Sequence, residues 1–201
     1  MNTKWPLILL FVATGALMLP TTEAHEVVYT AFLSGPNETP PNPSLGIGFV
    51  TITVDLDLFT LRVEATFSNL QGLVTAAHIH AATAAPFAGT AGVATQLPNF
   101  EGFPLNVTSG TYDHTFDLSL ASFFNPAFIA ANGGTISTAA TALFQALDQG
   151  RAYFNIHSDA FPGGEIRGFL VVPEPATTGL LVTGGIALLV AARKTRHRSR
   201  P

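Results

Sequence analysis

Two neighbouring stretches decide the fold: Val50-Thr51-Ile52-Thr53-Val54-Asp55 and, after a short turn, Leu61-Arg62-Val63-Glu64-Ala65-Thr66-Phe67. In both stretches apolar residues alternate with polar ones. Successive side chains of a strand point to opposite faces of the sheet, so this alternation predicts two half-buried antiparallel strands.

Further segments on both sides of this pair carry strand patterns and are separated by turn formers such as Pro40-Pro41 and Gly163-Gly164. About eight short strands predict an all-β antiparallel sandwich or barrel. The further strands are expected at residues 27–34, 75–80, 92–97, 111–118, 151–157 and 165–171. Residues 138–149 instead place apolar residues at helical spacing and predict a short helix over one end of the sandwich.

Composition excludes several classes of function. The chain of 201 residues contains no cysteine, which excludes thiol catalysis, thiolate metal sites and disulfides. Residues 25–172 contain eleven acidic and three basic residues, a formal charge of −8. Such a surface does not favour nucleic acid; cations or cation-bridged anionic polysaccharide are the expected partners.

Two segments concentrate the residues that can do chemistry: Ala76-Ala77-His78-Ile79-His80, and Tyr153-Phe154-Asn155-Ile156-His157. If Ile79 points into the core, His78 and His80 both point away from it, and the same rule places His157 outward. Neutral imidazoles suit zinc or copper, so these three histidines are the candidate metal ligands.

A second interpretation of the same segments is structural. Asn155 and His157 share an outer face with Glu165 and Arg167 of the next strand, and these side chains can form a hydrogen-bonded or partner-binding cluster. Glu165 and Arg167 alone can form an ordinary ion pair. The sequence leaves the metal site and the structural cluster both open.

The N-terminus predicts export. Lys4 precedes an apolar stretch at residues 7–19, and Thr22-Glu23-Ala24 offers small residues where a signal peptidase reads them. We therefore predict a signal peptide at residues 1–24 and a mature chain that begins at His25. A free terminal amine and imidazole on His25 would be able to chelate copper.

The C-terminus carries Pro173-Glu174-Pro175, an uncharged apolar run at residues 176–192 and a tail with five Lys or Arg residues. The run predicts a short transmembrane helix with its basic end in the cytoplasm. Residues 173–201 resemble the PEP-CTERM sorting signal. The resemblance implies an exosortase-type partner, transient membrane anchoring and delivery to the cell surface or exopolysaccharide matrix. An ordinary C-terminal anchor is the alternative.

The central region, residues 25–172, resembles the CHRD domain. The resemblance is carried by residues 32–41, Ala77-His78-Ile79-His80, and the segments 153–158 and 164–168. It implies an immunoglobulin-like β-sandwich and pairs the histidine-bearing strands. It also implies a non-catalytic binding or structural role.

A weaker resemblance, to copper/zinc superoxide dismutase, rests on the His-x-His strand of residues 78–80. The chain lacks the cysteine pair of that family, and its zinc-binding loop is not found. We therefore predict no enzyme. A metal-binding extracytoplasmic protein with redox activity is the alternative.

Overall fold

The computed structural model describes residues 25–173. The predicted signal peptide, most of the sorting segment and the predicted transmembrane helix lie outside the described residues. None of the helices between residues 25 and 173 has the length and hydrophobicity needed to cross a membrane.

The described chain is mainly antiparallel strand. Its seven strands are β1 Glu26–Ser34, β2 Ile47–Asp55, β3 Thr60–Ser68, β4 Val74–His80, β5 Gly110–Asp117, β6 Tyr153–Ser158 and β7 Ile166–Phe169. Two α-helices, α1 Pro126–Ala131 and α2 Ile136–Asp148, lie between β5 and β6, and short 3-10 helices occupy Gly35–Asn37 and Ala121–Phe123.

The strands form one sheet in the order β4-β6-β7-β1-β2-β3-β5. The two stretches that opened the sequence analysis are β2 and β3, paired antiparallel over their whole length. The sheet curls, since Phe100 contacts Phe116 of β5 and Phe154 of β6, which lie near opposite edges of the sheet. The all-β antiparallel prediction is confirmed, whereas the division into the two sheets of a sandwich stays a prediction.

The core lies inside this curl and follows the predicted alternation. In β2, Val50, Ile52 and Val54 are buried, while the polar residues between them are half exposed. On β4 and β6 the inward residues Ile79, Phe154 and Ile156 have no exposed surface. These strands therefore present their remaining residues, the histidines among them, to the face away from the core.

The helix predicted at residues 138–149 is present as α2 and begins two residues earlier than expected. Thr135 and Thr138 form a reciprocal capping box, which satisfies backbone N–H groups at the first turn. The helix buries Leu143 and Leu147 against the core. Phe144 is only partly buried and packs edge-on against Phe59.

One predicted strand is wrong, so the expected eight become seven. Residues 92–97 run beside the edge of β4 and make only isolated bridges, from Val93 to His80 and from Thr95 to Phe124. Ala94 and Thr95 are neighbours and both buried, which the alternation of a half-buried strand does not allow. The segment is a loop that covers the histidine-bearing strand.

Candidate metal centre

The pairing of β4 with β6 brings the three candidate histidines together. His78 lies opposite Asn155 and His80 opposite Tyr153, while His157 lies opposite Ala76. One ring nitrogen from each histidine lies within 4.8 Å of the others. The ring centroids are 5.4 to 5.8 Å apart.

The second nitrogen of each ring is hydrogen-bonded to a backbone carbonyl. His78 Nε2 lies 2.5 Å from the oxygen of Pro98, and His80 Nδ1 lies 2.9 Å from that of Ala91. His157 Nδ1 lies 2.9 Å from the oxygen of Pro162. Since a carbonyl only accepts, a neutral ring must carry its proton on this nitrogen, and the other nitrogen keeps its lone pair.

The nitrogens that keep the lone pair are His78 Nδ1, His80 Nε2 and His157 Nε2, and all three are buried without a hydrogen-bond partner. Leaving a buried acceptor unsatisfied costs about 1–3 kcal/mol, so three such atoms at one place are unusual. A carbonyl that fixes the outer nitrogen of each ring is also the usual support for metal-ligating histidines.

Burial keeps these rings neutral. It lowers the pKa of His78 and of His80 to about 4, against the opposing effect of their carbonyl partners. Burial also lowers the pKa of His157. At neutral pH all three lone pairs are therefore free to bind a cation. Ligands of one tetrahedral zinc lie roughly 3.4 Å apart, so the ring nitrogens would have to move closer together to share one ion.

The outer face of β4, β6 and β7 is covered rather than open to solvent. His78 and His80 are only 5% and 8% exposed. The loop between β4 and β5 supplies two of the carbonyls that hold them, from Ala91 and Pro98. Alternation predicted the face correctly, but it carries no information about the loop above it.

Tyr153 was not among the predicted site residues, and it lies directly against the site. Its ring stacks on His80, with the ring planes 5° from parallel and the centroids 4.8 Å apart. Its hydroxyl lies 3.3 Å from the carbonyl oxygen of Ala91, which also binds His80. Tyr153 therefore restricts how the His80 ring can move. Tyr153 lies opposite His80 because β4 pairs with β6.

Arg167 is hydrogen-bonded to two loops that cover this face: the chain that follows β1, and the loop that contains Gly89. Its Nε donates to the carbonyl of Asn37 at 2.6 Å, and it also donates to Gly89 O and Thr39 Oγ1. The guanidinium lies over the Tyr153 ring, 4.7 Å from its centroid.

Arg167 forms its ion pair with Glu38 rather than with Glu165. The Arg167 Nε lies 3.7 Å from Glu38 Oε2, and both side chains are buried. Burial raises the pKa of Glu38 to about 7, although Arg167 acts to lower it. Glu38 lies in the segment at residues 32–41 that carried the family resemblance. That resemblance is the sequence signal that could have identified Glu38.

The Glu165 and Asn155 side chains have different partners. The Glu165 carboxylate is buried and accepts hydrogen bonds from Ser44 Oγ, Gln71 N and Gly72 N at 2.5 to 3.2 Å. The Asn155 side chain borders Gly164, where an added Cβ would lie 2.6 Å from both Asn155 Nδ2 and Glu38 Oε1. Of the residues predicted as one structural cluster, Asn155 and Arg167 are direct cross-strand partners on β6 and β7, while the Glu165 side chain is hydrogen-bonded to the loops. Pro173 lies at the exposed end of the described chain, and Glu174 and Pro175 lie beyond it.

Fold and site together define an antiparallel β domain that buries a histidine cluster between its sheet and its loops. The chain matches the CHRD domain over residues 29–170, and it belongs to that family. Comparisons with curated proteins and with solved structures gave no significant match.

Proposed function

We propose that this CHRD domain binds a transition-metal ion, zinc or copper, through His78, His80 and His157. Two observations carry the proposal: the three histidines offer ring nitrogens that lie within 4.8 Å of one another, and each ring has one buried nitrogen without a hydrogen-bond partner. An all-imidazole set suits zinc and copper better than calcium or magnesium, which prefer oxygen ligands.

The role we propose is binding without catalysis. His78 and His80 are buried, His157 is partly buried, and each ring is held by a backbone carbonyl, an arrangement that suits retention of an ion. Bound metal would also stabilise the fold, by about 4 kcal/mol at a free concentration 1,000 times Kd. Redox activity of bound copper is the alternative, and the distant likeness to copper/zinc superoxide dismutase is its only support.

We further propose that the domain works outside the cytoplasm as an immunoglobulin-like sandwich. The support is the sequence pattern, which predicts a signal peptide at residues 1–24 and resembles the PEP-CTERM sorting signal at residues 173–201. Exosortase-type machinery would process the second segment after the helix at residues 176–192 had anchored the chain. The product would reside at the cell surface or in the exopolysaccharide matrix, where it has its binding or structural role.

Metal analysis of the exported protein tests the metal proposal. The full-length chain is produced in a Gram-negative host, purified from envelope and medium, stripped with a chelator, and titrated with zinc and with cuprous and cupric copper. We expect one tightly bound zinc ion per chain and a rise in Tm on binding. His157→Ala should weaken binding at least about 100-fold, because removing one of three ligands breaks the set.

His114→Ala is the matched control, since His114 lies on β5 at the other edge of the sheet. It should bind the ion as the wild-type chain does. If His157→Ala, checked for folding by circular dichroism, retains the affinity of the wild-type chain, the metal proposal is wrong. The histidines would then be a structural cluster.

A further inference from the structure

We propose a second metal site, for Cu(II), at the mature N-terminus: the His25 amine and Nδ1 with the Asp57 carboxylate. The inference rests on the proposed export, because cleavage after Ala24 creates the amine. The His25 backbone nitrogen lies 3.3 Å from Asp57 Oδ2, and its Nδ1 lies 3.3 Å from Asp57 Oδ1. Two nitrogens of one residue thus converge on one carboxylate.

The fold holds both halves of this site in place. The carbonyl of His25 accepts a hydrogen bond from the Leu56 N–H at 3.1 Å, and the next residue, Glu26, pairs with Asp55 at the start of β1. Asp55 Oδ1 accepts the N–H groups of Asp57 and Leu58, both at 2.9 Å, which fixes the turn that carries the carboxylate. The terminus and the turn are therefore neighbours before any ion binds.

Cleavage changes the chemistry of the His25 nitrogen. In the precursor it belongs to a peptide bond and its lone pair is delocalised. As a free amine it is a good ligand, and with Nδ1 of the same residue it closes a six-membered chelate ring around an ion. The carboxylate adds an oxygen ligand. Two nitrogens and an oxygen with open positions match the tetragonal preference of Cu(II), the divalent ion that such ligands bind most tightly.

The site differs from the three-histidine centre in exposure as well as in ligands. The side chains of His25 and Asp57 are 76% and 57% exposed, so ions and water reach them directly. An exposed histidine–aspartate ion pair would need only the imidazole contact and would contribute little to stability. The contact of the backbone nitrogen with the same carboxylate is the feature that distinguishes a chelate.

The test uses the exported protein in a His78→Ala, His157→Ala background, so that the first centre does not compete. Mass spectrometry establishes the N-terminal residue, and Cu(II) is titrated against a competing chelator with the electron paramagnetic resonance spectrum recorded. We expect one Cu(II) per chain with a tetragonal nitrogen–oxygen spectrum. Affinity should fall about 100-fold for His25→Ala and about 10-fold for Asp57→Asn, with His114→Ala unchanged.

Acetylation of the terminal amine is the second arm and needs no substitution. Wild-type protein should bind one Cu(II) fewer per chain after acetylation. A mature chain that begins at a residue other than His25 overturns the inference, as does equal copper binding before and after acetylation. Neither result touches the three-histidine centre, which is tested by the loss of binding in His157→Ala.

Discussion

The outer faces of the two halves of the sheet obey the same alternation and have opposite surroundings. On β1, β2 and β3 the outer face is open, with Phe32 and Phe49 57% and 48% exposed. On β4, β6 and β7 it is covered by loops, and it carries the histidines and Arg167. The alternation along a strand therefore determines on which face of the sheet a side chain lies. The loops determine whether that face is exposed to solvent or buried.

Each outer face contains an arginine paired with carboxylates, which makes the contrast measurable. Arg62 on β3 donates to both oxygens of Asp113 at 2.8 and 2.7 Å, and this ion pair is exposed to solvent. Arg167 on β7 pairs with Glu38 beneath the loops. Exposed pairs are screened by solvent, whereas breaking a buried pair leaves an uncompensated charge and unpaired polar groups.

The largest expected effect is therefore at Arg167. Arg167→Ala should lower the free energy of unfolding by about 3–5 kcal/mol, because Glu38 and three oxygen acceptors lose their partner. Arg62→Ala, the matched change on the open face, should leave the urea midpoint nearly unchanged. Both are measured by urea unfolding of metal-free protein.

Adding Glu38→Gln to Arg167→Ala sharpens this comparison. The double variant should recover part of the loss, because the buried carboxylate that lost its partner is gone. Equal destabilisation by Arg62→Ala and Arg167→Ala would contradict the contrast between the two faces.

Sequence reasoning succeeded where local pattern determines structure. The alternation in β2 and β3, the helical spacing in α2 and the outer face of His78 and His80 could all be predicted, since each depends on a short window of residues. The convergence of His157 with the other two required the pairing of β4 with β6. That pairing joins segments over 70 residues apart and came only from family resemblance.

The parts that failed depend on the loops. Residues 92–97 looked like a strand because Val93 and Thr95 are typical strand residues, yet the segment makes only isolated bridges, one of them to the edge of β4. The carbonyls of Ala91, Pro98 and Pro162 that fix the histidine tautomers leave no trace in residue type. The partner of Arg167 was missed for the same reason, since Glu38 lies on a distant loop.

The next effect in size is a pH dependence that the covered face should show and the open face should not. Burial raises the pKa of Glu38 to about 7 from 4.5, and Arg167 is the charged group that faces it. Between these values the folded state keeps a proton that the unfolded state has lost. Glu38 thus contributes stability below pH 4.5 that disappears as pH rises to 7.

The measurement is the difference in unfolding free energy between wild-type and Glu38→Gln protein, both metal-free, from pH 4.5 to 7.5. Taking this difference cancels the contribution of the histidines to the pH dependence. Their lowered pKa values act in the opposite direction, since they make stability rise with pH. Wild type should lose roughly 1–2 kcal/mol relative to the variant, less than the whole shift, because solvent and Arg167 screen the charge. Glu101→Gln, an exposed control, should show the same pH dependence of the unfolding free energy as the wild-type protein. A flat difference for Glu38→Gln would mean that this carboxyl is ionised under the loops.

The smallest effect is expected at the aromatic pair of the open face. Phe32 and Phe49 are direct cross-strand partners, and neither is covered by a loop. Replacing both with threonine, which suits strands, should change the free energy of unfolding by less than about 1 kcal/mol, the scale of a cross-strand pair. Phe154→Ala on the inner face is the matched comparison and should cost about 3–5 kcal/mol. If the double threonine variant approached that value in urea unfolding, the open face would be packed against something in solution, and the contrast between the two outer faces would fail.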